Sequence, residues 1–204
     1  MITVTQPRVR VTAQLRELRF DAGSRALDLV ATVGRRPTAV IERLGDTGRL
    51  DAWAGGVGLP LLPGAATAAA LADAQRLREA VFRMVTDVMA DAPVDPAAAA
   101  TVEGYAVLAT EPPRLDLAAD GRLASGPRLR TSAELLSTVA RDALDLVTDP
   151  ARRTHLRACD SPVCRMLFLD PPGGRPRRWC SMRRCGNSSK AAAFRDRAAS
   201  TVDS

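Results

Sequence analysis

All four cysteines of this chain fall within 27 residues, as two C-x4-C pairs, Cys159/Cys164 and Cys180/Cys185, with fifteen residues between the pairs. A thiolate pair a few residues apart lets one tight turn present two sulfurs to one tetrahedral ion. Two such turns close a four-thiolate zinc site. Disulfides are the competing use of the same residues. No secretory leader is legible at the start of the sequence, and a cytosolic thiol pool keeps isolated pairs reduced. Redox chemistry favours C-x-x-C beside a βαβ pattern, which this sequence lacks. The spacing therefore predicts one zinc ion per chain, held by Cys159, Cys164, Cys180 and Cys185, in a cytoplasmic protein.

The residues around the cysteines predict how such a site is built. Between the pairs, Met166-Leu167-Phe168-Leu169 reads as a strand, Pro171-Pro172-Gly173-Gly174 as its turn and Arg177-Arg178-Trp179 as the return strand. Cys185-Gly186-Asn187 leads into a helix over 189–199, capped by Asn187 or Ser188. Knuckle, hairpin and then a helix carrying the last ligand is a treble-clef-like order. A module this small buries too little apolar surface to fold alone. Metal binding, worth ~10–16 kcal/mol in zinc-finger peptides, supplies the difference. Trp179 is expected to pack over the hairpin, with base stacking as its alternative. His155 lies four residues before Cys159 but is expected outside the metal's ligand set, because four cysteines already complete a tetrahedron.

Charge separates the two parts of the chain. Residues 1–150 carry 17 basic and 19 acidic side chains, whereas residues 151–204 carry 12 basic and 4 acidic ones, a net +8. Zinc with four thiolates adds −2, so the segment keeps about +6 when loaded. A short basic module after a slightly acidic one predicts a polyanionic partner, most simply DNA, with a solubilising tail as the bland alternative. Of the 29 basic residues 28 are arginine, whose guanidinium forks suit phosphate oxygens and guanine edges. The predicted contacts are Arg177, Arg178, Arg183, Arg184, Lys190, Arg195 and Arg197, with Asn187 available to read adenine or to cap the helix.

The first 150 residues read as a mainly α domain with a minor β-sheet or hairpin, an α+β arrangement. Residues 1–19 form a leader or an edge strand. Ser24 caps a helix carrying Leu27, Val30 and Ala31, which Gly34 ends. Asp28 on that apolar segment reads as a partly exposed or capped carboxylate, or as a ligand contact. Residues 38–44 are extended; Asp46 or Thr47 caps a brief helix running through core residue Trp53 and broken by Gly55-Gly56 and Gly58. Residues 59–64 are a loop. The longest helix spans 66–90, with Leu71, Ala74, Leu77, Val81, Val85 and Val88 inward, Arg76, Arg83 and Asp87 outward, and Pro93 and Pro96 closing it. A helix over 97–109 and a hairpin over 114–124 follow. Thr131-Ser132-Ala133-Glu134 is a capping box opening a helix that Asp149-Pro150 stops, so that 149–153 is the boundary between the two parts.

LFLD…RRWCSMRRCGN resembles the CGNR-type zinc finger, with Cys185, Gly186 and Asn187 matching its signature and Ser188 standing where the family has arginine. Upstream, FDAGSRALDLVATV and LDAWAGGVGL resemble the helical domain called ABATE. The resemblance implies an ABATE-like domain over 20–150, a finger over 151–199 and a tail over 200–204. It also implies a stress-induced transcriptional regulator whose helical domain senses a small-molecule effector. No P-loop, G-x-G-x-x-G or G-x-S-x-G is present, and a single histidine disfavours triad or His-metal hydrolysis, so no enzyme is expected. A zinc-stabilised protein-interaction module is the second reading, and a substrate-holding enzyme the third. No apolar run approaches the ~20 residues of a membrane span. The expected setting is the cytoplasm, in association with the nucleoid, as a monomer or a homo-oligomer.

Overall fold

The computed structural model describes residues 12–108, 110, 117–123 and 128–191. Helices dominate, joined by two small antiparallel hairpins. A short α1 (Ala13–Arg16) precedes α2 (Arg25–Val30), whose first turn is closed by Ser24 Oγ accepting from Leu27 N at 3.2 Å. This helix ends at Val30, earlier than expected, and Gly34 is recruited into a strand. Strands β1 (Val33–Gly34) and β2 (Ile41–Glu42) pair with Val33 opposite Glu42. Asp46 caps α3 (Thr47–Gly56), so the Gly55-Gly56 pair extends the helix beyond Trp53 instead of breaking it. Trp53 is buried in the core as expected.

Three long helices make the body of the fold. α4 (Ala68–Met89) is capped by Thr67 Oγ1 on Ala70 N and buries Ala70, Ala74, Leu77, Val81, Met84 and Val85 along one stripe. α5 (Pro96–Ala106) and α6 (Ser132–Thr148) pack on it and on each other, and α2 lies against α4 and α6. The capping box forms as predicted: Glu134 N donates to Thr131 Oγ1, and Thr131 N donates to the Glu134 carboxylate at 2.9 Å. Leu135, Leu136, Val139, Ala140, Ala143 and Leu146 then face the core.

Several sequence expectations are corrected. Asp87 faces inward, where its carboxylate accepts from Arg83 Nε at 3.0 Å and from Asp95 N at 3.1 Å, tying the end of α4 to the start of α5. Pro96 opens α5 at its first position, where the missing N–H costs nothing, while α4 ends at Met89, two residues before the left-handed Asp91. The predicted helix over 97–109 stops at Ala106. Asp149 does stop α6, as expected, and its carboxylate also accepts from Ala151 N and starts the short α7 (Pro150–Arg153). Of the predicted hairpin over 114–124, Leu117 bridges Leu123 around a turn at Gly121, and the remainder lies outside the described residues. So does the leader up to residue 11.

Strands β3 (Leu156–Ala158) and β4 (Leu167–Leu169) pair antiparallel, with Arg157 opposite Phe168. The partner of 167–169 thus lies before the first cysteine pair, and Arg177-Arg178-Trp179 forms no return strand. Pairing of 156–158 with 167–169 lets Leu156 and Leu167 enter the same apolar core as α4 and α6, which a downstream strand rich in arginine would not. Leu169 N donates to Ala22 O at 2.7 Å, and Gly23 presses against Leu169 with a left-handed φ of 89°. No helix among the described residues is long and apolar enough to cross a membrane.

The β1–β2 hairpin gives a direct test of packing. The Arg43 side chain is buried and lies across Gly34, donating to Ala31 O at 3.0 Å and Leu15 O at 2.8 Å. A Cβ at Gly34 would overlap that guanidinium. Gly34→Ala should therefore destabilise the chain by about 1–3 kcal/mol in urea unfolding, the usual range for an overpacked site. An unchanged midpoint would mean that Arg43 moves aside freely.

Candidate metal centre and basic face

The β3–β4 hairpin presents the first cysteine pair. Cys159 N donates to Met166 O at 2.9 Å, and Cys164 N to Ser161 O at 2.9 Å, so the 159–164 loop is a knuckle at the hairpin tip. Arg165 leaves it with a left-handed φ of 50°. The second pair opens the final helix. Ser181 O accepts from Cys185 N at 3.0 Å and from Gly186 N at 3.1 Å, giving a wide π-turn over Met182–Gly186 that runs into regular helix at 187–191. Such widened turns recur at functional sites because they re-aim one side chain. Here the turn carries Cys185. Asn187 is thereby inside the helix (φ −67°, ψ −40°) and caps nothing. Ser188 caps nothing either: its hydroxyl bonds Arg184 O and Cys185 O, both at 3.0 Å.

The four sulfurs converge. Sγ of Cys164 and Cys180 are 3.8 Å apart, those of Cys180 and Cys185 3.6 Å, and all four lie within 4.8 Å of one another. A zinc ion with Zn–S bonds of ~2.3 Å requires tetrahedral edges of about 3.8 Å, so the donor set fits one such ion in both chemistry and size. All four cysteines are free thiols, not disulfides. Hydrogen bonds from Cys164, Cys180 and Cys185 push the Cys159 thiol far below its ordinary range. Metal binding would release the protons that remain. Phe168 is fully buried under the cluster and Trp179 packs against it. His155 is not among the clustered groups; its carbonyl accepts from Asp170 N in the hairpin.

The predicted basic contacts divide into two sets. Arg177 is engaged within the chain: Nε donates to Asp170 at 2.6 Å and the guanidinium lies 4.8 Å from the centre of the Phe168 ring. Arg184 is engaged too, donating to Gln14 O and pairing with Glu17 at 3.0 Å, which fastens the final helix to α1. Arg178 pairs with Asp160 but remains 72% exposed, a surface pair that water and salt weaken readily. Arg183, Asn187 and Lys190 are exposed, and Arg183 and Lys190 have no ion pair among the described residues. Their spacing of four and three puts them on one helical face. Arg195 and Arg197 lie outside the described residues.

Two arginines near the centre were not anticipated. Arg19 pairs with Asp21 at 2.8 Å and reaches Cys180 Sγ at 3.5 Å. Arg43 is pulled down to about 10, first by burial and then by the charges of Arg19 and Arg184. No sequence motif links positions 19 or 43 to a cysteine pair more than a hundred residues away. Only the fold shows it.

The comparisons agree with this geometry. The family model for the CGNR zinc finger matches residues 155–198, spanning the β3–β4 hairpin and the helix that carries Cys185. No curated protein matches the chain. Residues 23–150 match the ABATE model, and the chain belongs to that family, described as "Putative stress-induced transcription regulator".

Proposed function

We propose that the chain is a DNA-binding transcriptional regulator whose metal-held final helix docks on duplex DNA. The observation that carries this reading is the exposed face formed by Arg183, Asn187 and Lys190, beginning beside the metal ligand Cys185. Arginine and asparagine are the side chains that pair bidentately with guanine and adenine edges, and lysine is a phosphate point charge. A face anchored by a metal ligand loses little entropy on docking. Arg177 and Arg184 hold the finger together in this reading and do not contact DNA. Arg178, Arg195 and Arg197 add charge, and the protein acts at the nucleoid as a binding protein rather than an enzyme.

The test is the salt dependence of affinity for duplex DNA. Each neutralised phosphate contributes about −0.9 to the slope of log K against log salt. Replacing Arg183 and Lys190 by alanine should flatten the slope by about two units if each makes one phosphate contact, with zinc content unchanged. Neither side chain ligates the metal or pairs within the described chain, so folding should be intact. Metal-loaded protein with no measurable DNA affinity at low salt would move the reading to a protein-interaction module.

A further inference from the structure

A cavity of about 140 Å³ lies between α1, the β1–β2 hairpin and the cysteine knuckles. Arg19, Arg35, Arg43 and Arg184 line it, Cys164 and Cys185 form part of its wall, and no described aspartate or glutamate lines it. Four arginines around so small a space require counter-charge. Part of it is accounted for. Asp21 answers Arg19, Glu17 answers Arg184, and a four-thiolate centre holding a divalent metal contributes −2, with Arg19 reaching one of its sulfurs.

Arg35 and Arg43 have no acidic partner among the described residues. Arg43 is 5% exposed, and the described hydrogen bonds of its side chain go to the carbonyls of Leu15 and Ala31. A buried arginine satisfied only by carbonyls keeps its full charge, and burial without a counter-ion is costly. The Arg35 side chain makes no described hydrogen bond or ion pair; its carbonyl accepts from Thr38 N at 2.9 Å in the β1–β2 turn, and its backbone holds a left-handed φ of 54° that non-glycine residues seldom adopt. That strain sits at the rim of the cavity, where strained residues often belong to ligand clamps.

We propose that this cavity binds a small tetrahedral oxyanion, inorganic phosphate or the phosphate of a small monoester, gripped by Arg35 and Arg43 and framed by Arg19 and Arg184. Planar guanidinium forks match phosphate oxygens in pairs. The volume admits one such group and excludes a nucleotide. The ligand would touch α1, the β1–β2 hairpin and the metal-bearing knuckles together, so its binding free energy would tighten the contact between the helical body and the finger. This site stands independently of DNA binding, because Arg183 and Lys190 do not line it.

The experiment uses full-length, zinc-loaded protein at constant ionic strength, titrated with inorganic phosphate and, separately, with glycerol phosphate, against chloride. Ligand at ten times Kd should raise Tm by about 3–6 °C. Stronger stabilisation by the monoester identifies an organic phosphate as the source; stronger stabilisation by the free ion identifies phosphate itself. Arg35→Gly should weaken binding by about tenfold or more while leaving the ligand-free protein at least as stable, since glycine is at ease at that φ. Arg183→Ala should bind phosphate normally. No ligand-dependent shift, as expected if the arginines only balance the metal centre, overturns the proposal. So does an undiminished shift in Arg35→Gly, or a shift lost in Arg183→Ala, which would place the anion on the DNA face.

Discussion

Stripping the metal with a chelator, or replacing Cys159 by serine, should lower the melting temperature of the whole molecule by about 10 °C or more, helices included. The small size of the finger, which needs metal to fold, predicts from sequence a different result, in which the tail unfolds and the helical body survives. The structure argues against that separation. Leu156 and Leu167 of the hairpin lie in the same core as Leu77, Val81 and Leu146. Leu169 N donates to Ala22 O, Arg19 reaches Cys180, and Arg184 holds α1. Releasing the knuckles therefore loosens contacts that the body uses. Structural zinc contributes ~10–16 kcal/mol of apparent binding free energy in isolated fingers. If a third of that is lost as folding stability here, the midpoint falls by roughly 10–20 °C for a domain of this size. Calorimetry beside far-ultraviolet circular dichroism decides. A single lowered transition is expected; a helical signal melting at its original temperature after metal removal would show that body and finger fold separately.

What the sequence made legible follows the range over which each signal acts. The caps at Ser24, Asp46 and Thr131 are local hydrogen-bond patterns, and the structure contains all three, whereas the helix expected from residue 66 starts two residues later, at Ala68, behind a Thr67 cap that was not expected. The four cysteines were legible because metal coordination imposes its spacing on the chain whatever else folds around it. The partner of β4 was not. Strand 167–169 has two candidate partners of similar length, and the choice depends on which leaves Leu156 beneath α4 and α6, a question of tertiary burial. The π-turn at Met182–Gly186, which carries Cys185, is equally hidden. The basic contacts show the same limit: charge and position make Arg177 and Arg184 look like their neighbour Arg183. Asp170 and Glu17, brought close by the fold, separate them.

Asp28→Asn should stabilise the protein at neutral pH, by up to about 3 kcal/mol. Asp28 is buried, and burial pushes its carboxyl from an ordinary 3.8 up to about 6, against the opposing effect of the hydrogen bond from Ala22 N at 2.9 Å. That bond closes the turn through Gly23 on which Leu169 docks. The carboxylate thus serves as an acceptor in a place that disfavours its charge. Between about pH 4 and 6 the folded chain keeps a proton on Asp28 that the unfolded chain has released. Stability from this group is therefore complete below about pH 4 and is lost as pH rises through 6. A shift of about two units sets the ceiling at about 3 kcal/mol, and a residue open to some water will show less. Asparagine retains the acceptor oxygen and removes the charge, so it should gain this energy at pH 7 and flatten the loss of stability between pH 4 and 6. Alanine should do the opposite, leaving Ala22 N unpaired at a cost of about 1–3 kcal/mol. Urea unfolding of both variants at pH 4.5 and pH 7 separates these contributions. An asparagine variant weaker than the parent at pH 7 would mean that the negative charge itself is used, most directly against Arg19, whose charge acts on this carboxyl.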